Sequence, residues 1–314
     1  MSVKSKETIV VTGASGFFGR HLAPFLSARG YNLVLLSRRE IALPRNTRAV
    51  KINDIADVDW ARHLDGASAV VHLAGLAHVT SFIPESDYRR TNVAATQRVA
   101  DAAKECGAKF VLISSVAAQS GPSSETVLAE TDPPIPTNAY GRSKLAAEEE
   151  VRAAGGKYVI FRPTLTYGPG VSGNMGKLIA LALRGIPPPL GLLTNLRSIL
   201  AMENMCHAVS FALENPRAIG EVFLLADRHP ISVADMVKCL RLGAGYSIGA
   251  LPVPPALLAQ ALRWTGRYEL WDKLSGDLVV SVDKLRDCGF SWQVETREAL
   301  RLLGKGYAAD RKAA

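Results

Sequence analysis

The chain has 314 residues, 48% of them hydrophobic and 21% charged, with a formal net charge of +8 from 37 Lys and Arg against 29 Asp and Glu. That length suits two domains or one large one, and the composition excludes a disordered, collagen-like or coiled-coil chain and argues against a polytopic membrane protein. The basic balance suits an anionic partner such as nucleic acid, a membrane surface or a phosphorylated small molecule, with simple solubility as the baseline explanation.

The elements follow a regular rhythm in the first half. MSVKSKE leads straight into the apolar run Thr8–Thr12 with no leader-like stretch before it, so a cytoplasmic chain is expected. After that strand, Phe17–Arg29 has a helical pattern closed by Gly30, with Pro24 as a candidate kink. Leu33–Leu36 and Ala69–Leu73 follow as strands, then a helix over Tyr88–Cys106, a strand at Phe110–Ser114, a helix over Asn138–Ala154 and a strand at Tyr158–Phe161. Continuous apolar strands separated by helices predict an α/β fold, a doubly wound parallel sheet covered on both faces.

Beyond Arg162 the texture changes. Prolines 163, 169 and 187–189 break the rhythm, and helical patterns recur at Gly176–Arg184, Glu203–Glu214 and Ser232–Leu240. We therefore expect a Rossmann-type domain over residues 1–165 and a smaller substrate-binding region over 166–314, whose elements can return to interleave with the first. The apolar stretch Ile248–Leu262 holds three prolines and is too short and too broken to span a bilayer. Cys106, Cys206, Cys239 and Cys288 are scattered with no His at ligand spacing, so neither a disulfide framework nor a metal site is expected, and the compartment reads as reducing. His21, His63, His78, His207 and His229 form no ligand cluster in sequence either. No basic stripe interleaved with aromatics points to nucleic acid.

Directly after the first strand comes Gly13-Ala14-Ser15-Gly16-Phe17-Phe18-Gly19. Strand before and helix after give this turn the context of a dinucleotide-binding loop. One glycine turns the chain, one admits a pyrophosphate to the backbone N–H groups, and one lets the helix pack on the strand. The anion then sits at a helix N-terminus. At the end of the second strand stands Ser37-Arg38-Arg39-Glu40, where NAD enzymes usually place an acid for the ribose 2′-OH. An Arg there suits a 2′-phosphate, so Arg38 favours NADP while NAD stays open.

Tyr140-Gly141-Arg142-Ser143-Lys144 puts a phenol and an ammonium at i and i+4 on one helix face. A phenol with a reference pKa of about 10 is a poor base until a nearby cation favours the phenolate. It can then take a proton from a substrate hydroxyl while hydride leaves the same carbon. Ser114 and Ser115 end a predicted parallel strand, where α/β sheets bind ligands.

The GxxGxxG spacing, the Ser-rich strand end and YxxxK together resemble the extended short-chain dehydrogenase/reductase family. Arg162-Pro163-Thr164-Leu165-Thr166-Tyr167-Gly168-Pro169-Gly170 and Asn195-Leu196-Arg197-Ser198-Ile199 extend the resemblance to its NAD-dependent epimerase/dehydratase members, the UDP-glucose 4-epimerase-like branch. The resemblance implies Ser115, Tyr140 and Lys144 as catalytic residues, with Ser114 as the alternative hydroxyl. The cofactor would be held by Gly13, Ser15, Gly16, Phe17, Phe18, Gly19, Arg38, Asp54, Ile55, Leu73, Ala74, Gly75, Ser114, Tyr140, Lys144 and Pro163. A nucleotide sugar, with UDP the expected nucleotide, would meet Ser115, Asn174 and Arg197. Asn92 would support the active-site helix or strand, and Ser281–Leu285 with Gly289–Trp292 would form a structural C-terminal signature.

Where the family carries His and Asp after R-x-x-I, this chain has Ala201 and Asn204, which puts ordinary UDP-galactose specificity in question. The implied activity is epimerisation at the sugar C4. The alternatives are an NADPH-dependent 4-keto-sugar reductase, an alcohol dehydrogenase acting on a non-sugar substrate, and a non-catalytic cofactor-binding protein. A homodimer is expected by resemblance.

Overall fold

The structure, a computed structural model, describes residues 7–76, 83–266, 268, 271 and 274–313. Ala77 and His78 lie outside them.

The core of the fold is a seven-stranded sheet built from β1 (Thr8–Thr12), β2 (Asn32–Ser37), β3 (Thr47–Lys51), β4 (Ala69–His72), β5 (Lys109–Ile113), β6 (Tyr158–Pro163) and β10 (Glu221–Leu225). The strands lie in the order β10-β6-β5-β4-β1-β2-β3. Every pairing is parallel. The central strands are buried nearly throughout, as their unbroken apolar sequences require of a sheet covered on both faces. The chain runs outward from β1 to β3, then crosses back to β4 and continues the other way. The strand order therefore reverses between β1 and β4, and ligands of open α/β sheets bind at the carboxyl ends of strands at such a point.

One face is packed by α1 (Phe17–Ala28) and α7 (Met202–Glu214), whose Leu22, Leu26, Met205 and Val209 join Ile9, Val11 and Phe161 in one core. The other is packed by α2 (Trp60–Leu64), α4 (Ala95–Glu105) and α5 (Ala139–Ala154), which bury Leu64, Val99 and Val151 against Val10, Val70 and Leu112. β10 and α7 come from beyond residue 165, so the later half of the chain completes the first sheet.

The remainder forms a separate core. Here α6 (Gly173–Ala182) and α8 (Val233–Gly243) pack with the C-terminal helix Thr296–Ala313 and the short strands β7 (Leu165–Tyr167) and β9 (Ile199–Ala201). β8 (Leu196–Arg197) pairs antiparallel with β11 (Ile231–Ser232).

Several expected elements take a different form. The helix expected over Tyr88–Cys106 begins at Glu85 and passes through a π-helical segment, Arg89–Ala94, before α4. α1 runs on through Pro24, ends at Arg29 and passes into Gly30 at φ 88°, the left-handed residue that commonly follows a helix end. β3, whose sequence TRAVK is polar and mostly exposed, is an edge strand with no clear periodic signal. α9 (Pro255–Trp264) and the C-terminal helix were not expected; the first begins inside the proline-broken apolar stretch and runs two residues past it.

Candidate active site

The loops after β1, β4 and β5 meet at the carboxyl edge of the sheet. The glycine loop leads into α1, whose N-terminal residue Gly16 offers no side-chain cap and whose first turn carries no acid. The first N–H groups of a helix lack intrahelical partners and favour an anion. Gly19 is required by packing: a Cβ there would lie 2.5 Å from the Ala14 backbone. These features fit the pyrophosphate of a dinucleotide.

At the end of β2, Arg38 is exposed, while the Ser37 hydroxyl accepts from the Arg39 N–H at 3.0 Å. Asp54 accepts from the Ala56 N–H at 3.0 Å through one oxygen and pairs with Arg90 at 2.7 Å through the other. Ile55 beside it is buried. Leu73, Ala74 and Gly75 follow β4 at the switch point, with Leu73 and Ala74 half-buried and Gly75 exposed. Pro163 closes β6, paired with Leu225.

α5 delivers the phenol and ammonium. Asn138 caps it, its Oδ1 accepting from the Gly141 N–H at 2.8 Å. Gly141 lets the helix press onto the turn after β5, since a Cβ there would lie 2.2 Å from the Ala117 carbonyl oxygen. This approach sets the half-buried Tyr140 beside Ser115, with which it shares a hydrogen bond. Burial raises the Tyr140 pKa above its ordinary value, the Ser115 hydrogen bond opposes that rise, and the neighbouring Tyr88 phenol adds to it. The Tyr88 and Tyr140 rings lie 6.2 Å apart. Lys144 is buried and donates to the Ile113 carbonyl at 2.8 Å. Desolvation pushes its pKa down to about 8, against the pull of the Glu148 carboxylate.

The two serines are distinguished by their partners. The Ser114 hydroxyl donates to Glu148 at 2.5 Å, inside the core, whereas Ser115 faces Tyr140 and accepts from the Ala117 N–H at 3.1 Å. Glu148 is fully buried and bound by Arg162 at 2.6 Å and Arg152 at 3.2 Å. Arg162 also donates to Gln119, whose side-chain amide donates to the Asp132 carbonyl at 2.9 Å. A buried pair with every lone pair engaged holds α5, β5 and β6 in one arrangement.

A second network joins the loop after β4 to α5. Thr12 accepts from the Ala74 N–H at 3.1 Å, and Thr96 donates to the Asn92 carbonyl at 2.6 Å. Each threonine has one proton. Thr96 has spent its own, so the contact to His72 Nε2 at 3.2 Å has the imidazole donating. His72 Nδ1 then accepts from Thr12 at 3.0 Å. The ring is therefore neutral with its proton on Nε2, consistent with a pKa pushed down to about 3 by burial and then by the Lys144 charge. Asn92, in the π-helical segment, accepts from the Leu76 N–H at 2.7 Å and donates to the Leu76 carbonyl at 3.1 Å and to Ser143 at 2.9 Å. Ser143 donates in turn to the Tyr140 carbonyl at 2.7 Å. The sequence reading missed His72, Thr12, Thr96 and Glu148. Only Glu148, one turn after Lys144, left a local signal.

The structure brings Ser115, Tyr140 and Lys144 together, and sets the other two expected substrate residues, Asn174 and Arg197, on the C-terminal region. Asn174 is exposed in the first turn of α6. Arg197 donates to the Gly276 carbonyl at 2.8 Å and the Pro122 carbonyl at 3.0 Å, so it ties the loop after β5 to the C-terminal region. Ala201 and Asn204 form part of a buried junction around Asp227. That carboxylate accepts from the Ala201 N–H at 2.9 Å, the Asn204 amide at 2.8 Å and the Tyr167 hydroxyl at 2.9 Å. An amide at 204 can donate to Asp227 while its oxygen accepts from Gln293 N–H at 2.9 Å; a carboxylate there would face Asp227 as a like charge.

Comparison with known proteins agrees with this geometry. A UDP-glucose 4-epimerase of Vibrio cholerae is 31% identical over 295 residues, covering 90% of each chain. A ceramide reductase of Caulobacter vibrioides is 31% identical over 288 residues, covering 88% of this chain and 81% of the relative. Among solved structures, MoeE5 in complex with UDP-glucose and NAD superposes with a TM-score of 0.76 at 26% identity, over 98% of this chain and all of that one. The sequence pattern of the NAD dependent epimerase/dehydratase family matches residues 9–226, which span the sheet and every residue of the triad, and the chain belongs to that family.

Proposed function

We propose that the protein is a nucleotide-sugar oxidoreductase or epimerase that acts at the sugar C4 with NAD(P). The observation that carries this reading is the Ser115–Tyr140 hydrogen bond with Lys144 one helical turn away, set beside an uncapped helix N-terminus at the switch point of the sheet. NAD(P), when bound, supplies the hydride acceptor or donor. Gly13, Ser15, Gly16, Phe17, Phe18 and Gly19 would hold its pyrophosphate, Asp54 and Ile55 would meet its adenine side, and Leu73, Ala74, Gly75 and Pro163 would line its approach to the triad. Tyr140 takes the proton from the C4 hydroxyl, or delivers it in the reverse sense. The Ser115 hydroxyl holds the reacting oxygen, and the Lys144 ammonium lowers the cost of the phenolate. The substrate is a UDP-sugar or a close analogue, approached from the region of Asn174 and Arg197.

Arg38 favours a second form of the same chemistry, an NADPH-dependent reduction of a 4-keto sugar. It stands exposed at the end of β2, free to pair bidentately with a 2′-phosphate. The reductase name of the Caulobacter relative is in keeping with this form. We further read residues 1–165 as the cofactor domain and 166–314 as a substrate region interleaved with it through β10 and α7, the assembly as a homodimer through the faces of α4 and α5, and the location as cytoplasmic.

Denaturing the purified protein and identifying any released nucleotide tests the reading. Retained NAD supports the epimerase, and a site that takes up NADPH reversibly supports the reductase. Failure to bind either nucleotide overturns both.

A further inference from the structure

The apolar stretch Ile248–Leu262 has no part in the chemistry above, yet it builds a distinct surface. None of the residues of α9 is fully buried. Leu258 on its inner side packs against the C-terminal core beside Ala250 and Trp271. Leu257, Ala261 and Trp264, at i, i+4 and i+7, share the other side. Leu257 is 62% exposed and Trp264 79%. The helix is therefore apolar on both faces, with the inner one packed on the core and the outer one exposed.

The surface extends past α9. Backbone hydrogen bonds from Leu251 N–H to the Pro188 carbonyl and from Gly191 N–H to the Leu251 carbonyl, both 2.9 Å, lay the segment before α9 against the loop after α6. Exposed Ile248 and Leu251 thereby join exposed Ile186 and Leu192. Arg241, buried beneath, holds the rim by donating to the carbonyls of Ile248, Ala182 and Arg184 at 2.6–2.8 Å. Contiguous exposed apolar surface of this kind marks an interaction site.

The charge of this end chooses the occupant. Among the described residues that form it, 171–202, 236–266, 268 and 271, there is no Asp or Glu; Glu269 and Asp272 lie outside the described residues. This end carries the exposed cations Lys177, Arg184, Lys238 and Arg263, the last with its guanidinium 4.8 Å from the Tyr268 ring centre. The C-terminal helix reaches the same end, where Arg311 donates to the Leu183 carbonyl at 2.6 Å, and it adds one carboxylate, Asp310. A two-fold contact with a second copy would set these cations against themselves. An apolar stripe with an exposed Trp, rimmed by Lys and Arg, matches a helix lying in the headgroup layer of an anionic membrane.

We propose that α9 and its rim dock the protein on an anionic phospholipid surface, with Leu257 and Trp264 entering the headgroup boundary and Arg184, Lys238 and Arg263 pairing with lipid phosphates. Docking would set the C-terminal core, which carries Asn174 and Arg197 on its margins, next to the membrane.

The test is co-sedimentation of the full chain with phosphatidylcholine vesicles and with vesicles that also contain phosphatidylglycerol. Binding should be at least about tenfold stronger on the anionic vesicles and weaken as salt is raised. The double variant Leu257→Glu, Trp264→Glu should stay in the supernatant while keeping its melting curve and its cofactor binding, because both side chains are exposed. The proposal is overturned if the native chain ignores anionic vesicles or if the double variant binds them equally well. It is also overturned if light scattering shows that the double substitution only splits an oligomer, which would make the face a contact between copies.

Discussion

At the scale of single residues, the chemistry rests on how three side chains are kept apart from the rest of a polar core. Ser114 and Ser115 are adjacent just past the end of β5, and their roles diverge because the extended backbone there turns consecutive side chains opposite ways: one hydroxyl meets Glu148, the other Tyr140. Tyr140→Phe should lower turnover by about 10²–10⁴-fold while cofactor binding, followed by fluorescence titration, stays close to the native value. Lys144 is held near a pKa of about 8 by burial, with Glu148 pulling upward. Its charge is present below that value and is lost as pH rises through it, so activity that depends on the ammonium should decline on the alkaline side. Glu148→Gln removes the upward pull and should move that decline to lower pH. It also leaves Arg162 with a lost charge partner, at a cost of about 3 kcal/mol of stability, measurable by urea unfolding. The triad was legible in the sequence because YGRSK is local. The His72 relay was not, since Thr12, His72 and Thr96 come from separate elements and only the folded sheet joins them.

At the scale of elements, the position of α5 matters most. Gly141 sits over the Ala117 carbonyl, so Gly141→Ala should push the helix off the turn after β5. Overpacking of this kind costs about 1–3 kcal/mol, and here it should also lower kcat more than it raises KM, because Tyr140 moves with the helix. The π-helical segment at Arg89–Ala94 places Asn92 to serve both Leu76 and Ser143, and nothing in the residue pattern announces the extra residue in that turn. The buried strands β1, β2, β4, β5 and β6 were readable from their apolar runs, whereas β9 and β10, also largely buried, were not expected. β3 was missed because an exposed edge strand needs no apolar face, and α9 because its prolines lie before and at its first position, where proline starts a helix rather than breaking one.

At the scale of the whole molecule, the sheet is shared between the two halves of the chain. A fragment ending at residue 165 would lack β10 and leave Leu22, Leu26 and Phe161 without α7, so it should show no cooperative unfolding transition by circular dichroism. Chain order alone divided the protein near residue 165; the return of β10 depends on a pairing between strands about 60 residues apart and carries no local signal. The net charge of +8 likewise acquires a distribution, with a carboxylate-poor end around α9. The central claim is that Tyr140 exchanges a proton with a sugar hydroxyl as hydride moves between that carbon and the nicotinamide. The direct measurement is nicotinamide absorbance after mixing native protein or Tyr140→Phe, each loaded with NAD(P) or NAD(P)H, with a panel of UDP-hexoses and their 4-keto derivatives. The native protein should change the redox state of the nicotinamide with at least one of them and Tyr140→Phe should not; equal rates in the two proteins, or no redox change with any nucleotide sugar, would contradict the claim.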